Sequence, residues 1–83
     1  MSDDEKQFAQ SLFRAVESLG FEVHDSNGAY ETFLSLNRQL QAFLRMRYMR
    51  GLSDRNIALI LGELESDVSK NILDALYRIG RSL

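Results

Sequence analysis

The 83-residue chain contains no cysteine, no proline and a single histidine, His24. Without cysteine there is no disulfide framework, no thiolate zinc site and no cysteine nucleophile. One histidine excludes a His-rich metal site and leaves an acyl-transfer triad a poor expectation. The fold must hold together by packing, as a reduced intracellular protein does. No apolar run approaches the roughly 20 residues that cross a bilayer. The start, Met1-Ser2-Asp3-Asp4-Glu5, is acidic, whereas a signal peptide begins with basic charge. The expectation is a cytoplasmic binding module with no membrane partner and no cofactor. It is not expected to be an enzyme, because nothing in the sequence pairs a nucleophile with a base.

What is present suits one small globular domain over 1–83: 45% apolar and 27% charged residues, with no repeat, linker or low-complexity segment. The net charge of -2 hides an asymmetry. Residues 1–35 hold 7 acids against 2 bases, and residues 36–83 hold 8 bases against 5 acids, so the halves stand at -5 and +3. A basic half suits nucleic acid, and an acidic half suits a basic partner or covers the basic half. Two solvated helix faces of opposite sign would read the same way.

The 3-and-4 spacing of apolar residues predicts helices throughout. The first spans 2–19, with a capping-box pattern at Ser2 and Glu5, an inward face of Phe8, Leu12, Phe13, Val16 and Leu19, and Gly20 at its end. Phe21-Glu22-Val23-His24 alternates apolar with polar but is too short for a strand without a partner. Asp25, Ser26 or Asn27 can cap the next helix. From 29 to 50 the pattern is helical, with Ser35 or Asn37 marking a break and Gly51 a stop. Ser53 caps a short helix over 54–61 whose Ile57, Ala58 and Leu61 face inward, and Gly62 closes it. A last helix over 66–82 carries the stripe Val68, Ile72, Leu76, Ile79 and Leu83. The fold class is all-α, with four or five helices. Its expected core is Phe8, Leu12, Val16, Phe33, Leu40, Phe43, Leu44, Ile57, Leu61, Val68, Ile72, Leu76 and Ile79.

Gly51-Leu52-Ser53, Ile57-Ala58, Leu61-Gly62 and Val68 are spaced as in a helix-turn-helix. A capping Ser, a small Ala that lets a second helix approach, and a Gly for the tight turn give that spacing its physical sense. On these residues, with Leu44, Arg47-Tyr48, Ala75-Leu76 and Ile79, the stretch 36–79 resembles region four of bacterial sigma factors and the LuxR-type helix-turn-helix. The resemblance implies a helix-turn-helix at about 53–82 with the last helix in the recognition position. The sequence departs from that pattern where DNA would be read. Asn56 replaces a usual Glu, Leu64 a capping Ser or Thr, and Glu65-Ser66-Asp67 a start rich in Ser, Thr, Lys and Arg. Carboxylates suit a helix N-terminus but oppose phosphates.

Gly51, Ser53, Arg55, Ile57, Ala58 and Gly62 also resemble, more loosely, the helix-turn-helix variant antiactivators of proteobacterial integrative and conjugative elements. That resemblance implies a regulator of quorum sensing and conjugative transfer that binds a transcriptional activator, of LuxR type in some cases; the chain itself is expected to be a monomer or weak dimer. The residues expected to bind such a partner are Glu63, Leu64, Glu65, Asp67, Lys70, Asn71, Asp74 and Tyr77. The alternative, sequence-specific DNA binding of the sigma type, would use Arg45, Arg50, Arg55, Lys70 and Asn71. Each set has a plainer reading. The arginines, with Arg38 and Arg47, are otherwise solvated or internally paired. Lys70 and Asn71 otherwise form a polar helix face, and Leu64, Leu73 and Tyr77 are otherwise satellite core. Phe8, Leu12, Phe13 and Val16 are core or in part a dock for a partner helix, and His24 is a loop residue.

Overall fold

The computed structural model describes residues 2–83. Five helices occur in it and, among the described residues, no strand: α1 Asp3–Ser18, α2 Ser26–Leu34, α3 Arg38–Tyr48, α4 Asp54–Leu61 and α5 Glu65–Arg81. Local chemistry sets most of the boundaries. Ser2 Oγ accepts the Glu5 N–H at 3.2 Å, Asp25 Oδ1 the Gly28 N–H at 2.7 Å, Asn37 Oδ1 the Leu40 N–H at 2.9 Å and Ser53 Oγ the Asn56 N–H at 3.1 Å. Each satisfies an amide that has no partner inside its own helix.

The expected break in the second helical stretch uses both residues singled out for it. α2 ends with Ser35 as its C-cap, and α3 begins after Asn37. Gln41 then closes the corner, its Nε2 donating to the carbonyls of Leu34 at 3.1 Å and Leu36 at 2.7 Å. α2 starts three residues earlier than the apolar spacing suggests, because Asp25 supplies the cap. Residues 21–25 join α1 to α2 without a helix or a strand ladder, and Asp25 at their end is extended.

α5 packs against each of the other four helices. Its face of Val68, Ile72, Ala75, Leu76, Ile79 and Gly80 is buried, opposite Phe8, Leu12 and Val16 of α1, Phe33 of α2, and Phe43 and Leu44 of α3. Among the described residues, no polar or charged residue is buried, so the centre depends wholly on apolar packing. Twelve of the thirteen expected core residues lie there. Leu61 does not: it is 41% exposed. α4 is barely two turns long, Ile57 and Ala58 take its inward face, and the chain turns away at Gly62 before Leu61 is covered. Leu83 lies beyond the end of α5 and is exposed too, and Phe13 is only half-buried.

Two glycines are used differently. Gly62, at φ +67°, turns the chain between α4 and α5, so that the two helices are joined by the short turn 62–64. Gly80 lies inside α5, where a Cβ would come 2.3 Å from the Phe21 ring. That ring also packs edge-on against Tyr77, with centroids 5.7 Å apart, and so fastens the connecting segment onto α5. Intrinsic propensity alone gives Gly80→Ala about 1 kcal/mol of added helix stability. The collision with Phe21 reverses the sign, and we expect a net loss of about 1–3 kcal/mol, as for other overpacked sites. The same substitution in a Phe21→Ala background should be neutral or stabilising. A thermal-melting double-mutant cycle reads both, and additivity would show that the ring does not rest on the glycine.

Candidate functional site

The exposed side of α5 and the turn before it bring together most of the residues expected to meet a partner. Glu63, Leu64, Asp67, Lys70 and Asn71, with Gly62, line a shallow depression of about 510 Å³. Their positions follow from helical geometry, since 67, 70 and 74 fall on the face of α5 away from its buried stripe, with 71 at the edge of that stripe. Glu65 is exposed on the first turn but does not line the depression. Asp74 lies further along and pairs with Arg78 at 2.9 Å. Tyr77 is taken out of the set. Its ring faces Phe21, and Arg81 stacks over it at 5.6 Å, so it secures the connecting segment to α5.

The alternative set is dispersed. Arg45 donates from Nη1 to Glu5 Oε1 at 2.9 Å, and its guanidinium lies 5.2 Å from the Phe8 ring centroid and 5.1 Å from that of Phe33. It is an internal link between α1, α2 and α3 rather than a phosphate contact. Arg47 stands 3.3 Å from Asp54 Oδ1, a charge pair without hydrogen-bond alignment, while Asp54 Oδ2 accepts the Ser69 hydroxyl at 2.6 Å. These contacts join α3, α4 and α5. Arg38, Arg50 and Arg55 remain exposed, and Asn71 is half-buried.

Sequence reasoning missed Leu59 and Ile60. They are 74% and 59% exposed on the outer side of α4, next to Leu61, and Leu64 follows at 68%. The signal is there in the pattern: once Ile57 and Ala58 face inward, a step of 100° per residue sends 59 and 60 outward. A second concavity of about 570 Å³ runs between α1 and α5, with Tyr48 beside the Arg47–Asp54–Ser69 contacts at its edge. Burial pushes the Tyr48 phenol above its ordinary pKa. Among the described residues, no three His, Cys, Asp or Glu side chains stand close enough to hold a metal ion. No protein-family model, curated protein or solved structure matches the chain.

The Glu5 carboxylate receives two side-chain donors, Arg45 and Tyr30. Arg45 first, and the Tyr30 hydroxyl second, donate to it and hold its pKa below the ordinary carboxylate value, against the opposing effect of partial burial. Tyr30 is pushed up, chiefly because it donates to that carboxylate. A carboxyl whose folded pKa is depressed binds fewer protons folded than unfolded. Its contribution is complete above the unfolded pKa and is lost as pH falls through the folded one. Glu5→Gln should therefore cost about 1 kcal/mol at neutral pH, with allowance for solvent screening. It should also flatten the loss of stability below pH ~4.5. Urea melts of both proteins across the acid range measure this, and parallel curves would remove Glu5 as the source.

Proposed function

We propose that this protein regulates transcription by binding a protein, as an antiactivator that sequesters a transcriptional activator in the cytoplasm. A LuxR-type activator is the partner the resemblance implies. The observation that supports the reading is the surface presented where a recognition helix would meet a groove. Glu63, Glu65 and Asp67 are exposed there, with Leu64 beside them and Lys70 as the one cation of the depression. A duplex carries about one negative charge per 1.7 Å of axis, so these acids oppose its approach. A protein partner can offer Arg or Lys to them, gaining association rate and orientation.

The DNA-binding alternative draws on exposed Arg50, Arg55 and Lys70, yet has Arg45 engaged by Glu5 and faces three acids at the reading end. Among the described residues no helix is long and apolar enough to cross a membrane, which leaves an aqueous partner in keeping with the reading.

The test is a pair of measurements on the full chain. Anisotropy with labelled genomic duplexes should show no sequence-selective binding at physiological salt. A reporter driven by the activator should fall when the protein is co-expressed, and a stable complex of the two should be recovered. Charge reversal at Glu65 and Asp67 should weaken that complex tenfold or more, on the order of 1.4 kcal/mol, and raise non-specific affinity for DNA. A tight, selective duplex complex lost on Lys70→Ala or Asn71→Ala would establish the alternative instead.

A further inference from the structure

Residues 59–67 are nine consecutive exposed positions. Of the eight large apolar side chains left in solvent among the described residues, four fall here: Leu59, Ile60, Leu61 and Leu64. Single exposed leucines are ordinary, but four large apolar residues exposed within six positions of one helix end and its turn are not, and exposed apolar surface of this kind suits an interaction site. The run also holds Glu63, Glu65 and Asp67 and no base; Arg55 and Lys70 lie outside its two ends.

Leu64 adds an independent argument. It occupies the N-cap of α5, where no side chain caps the helix. Ser, Thr, Asp or Asn would stabilise that position, and an exposed leucine contributes nothing to the core. A residue that costs stability and packs against nothing internal is explained if it packs against something external.

We propose that residues 59–67 form a docking surface for a basic amphipathic helix of a partner protein. Its leucine-like anchors would cover Leu59, Ile60 and Leu64, and its flanking Lys or Arg would meet Glu63, Glu65 and Asp67. The inference rests on the protein-binding reading above and specifies the surface and the chemistry that the partner brings. A helix fits better than an extended segment. Among the described residues there is no strand edge to offer, and a helix satisfies its own backbone hydrogen bonds while presenting apolar residues at i, i+4 and i+7. A second copy fits poorly, because its matching run would bring three more acids and no base to answer them. A duplex meets the same objection from its phosphates.

The experiment uses isotope-labelled full-length protein and a panel of designed helical peptides with Leu at i, i+4 and i+7. The flanks are Lys in one arm and Glu in another, and a third arm scrambles the leucines. The Lys peptides should shift the amides of residues 59–67, and the Glu and scrambled peptides should not. Leu59→Gln with Ile60→Gln should weaken binding at least tenfold with an unchanged thermal midpoint. Leu64→Thr should raise the midpoint while weakening binding. Glu63→Lys with Glu65→Lys should transfer the preference to the Glu peptides. Shifts confined to other residues, no binding by any peptide, or self-association through 59–67 would overturn the proposal. The antiactivator reading is judged separately. An activator complex that forms equally well with Leu59→Gln and Ile60→Gln keeps that reading and removes this surface. Peptide binding without any activator complex does the reverse.

Discussion

With no disulfide and no polar residue in the core among the described residues, the domain depends on covering the apolar face of α5, and the other four helices do so in different ways. α1 and α3 supply large aromatic and branched side chains, α2 supplies Phe33, and α4 supplies Ile57 and Ala58. An 83-residue chain buries a modest fraction of its surface, so the margin of stability is small and each full-sized contact is a large share of it. The connecting segment between α1 and α2 is drawn into the same scheme. Phe21 lies on the bare backbone at Gly80, where any other residue would hold it away.

Apolar packing does not by itself fix how the helices are oriented, and here a charged node adds direction. Glu5 receives Arg45 and Tyr30, Arg45 lies over Phe8 and Phe33, and the Phe8 and Phe33 rings meet edge-on at 4.9 Å. Three helices are thus tied by groups whose geometry is directional. Half-exposed ion pairs contribute little energy alone, but one that fills both carboxylate oxygens and rests on two aromatic faces discriminates against sliding and rotation. Glu5–Arg45 is also the one ion pair, among the described residues, that joins the acidic first part of the chain to the basic remainder. The charge asymmetry of the sequence is therefore mostly left facing solvent, where a partner can meet it.

The sequence disclosed what local rules control. Caps at Ser2 and Ser53, the break at Ser35 or Asn37, the stop at Gly62 and the apolar stripes were readable because each depends on neighbours within a turn or two. The capping box at Ser2 and Glu5 was readable only by half: Ser2 caps, while the Glu5 side chain is diverted to Arg45 and Tyr30, residues 40 and 25 positions away. No local rule contains that competition. Arg45 in a DNA-contacting set, Tyr77 in a partner-binding set and the silent Gly80 share one cause, since each has its role assigned by a distant aromatic or carboxylate. Leu61 differs: helical phase put it inward, but a helix ends before its last residue is covered.

The turn between α4 and α5 shows how stability and surface chemistry divide along this chain. Ser69 and Asp54 on its inner side are hydrogen-bonded, and Val68 is fully buried, so the two helices are firmly joined. On the outer side the cap of α5 goes unmade, at a cost of about 0.5–2 kcal/mol against Ser or Asp. Glu65 and Asp67 recover part of that by lying against the positive end of the helix dipole. These acids therefore serve the fold as well as opposing a duplex, so their use is not confined to a partner. Leu59, Ile60 and Leu64 have no such second use, because they are exposed and lie outside the apolar core. The leucines, rather than the carboxylates, are the stronger support for the proposed docking surface, and the carboxylates then restrict which partners it would take.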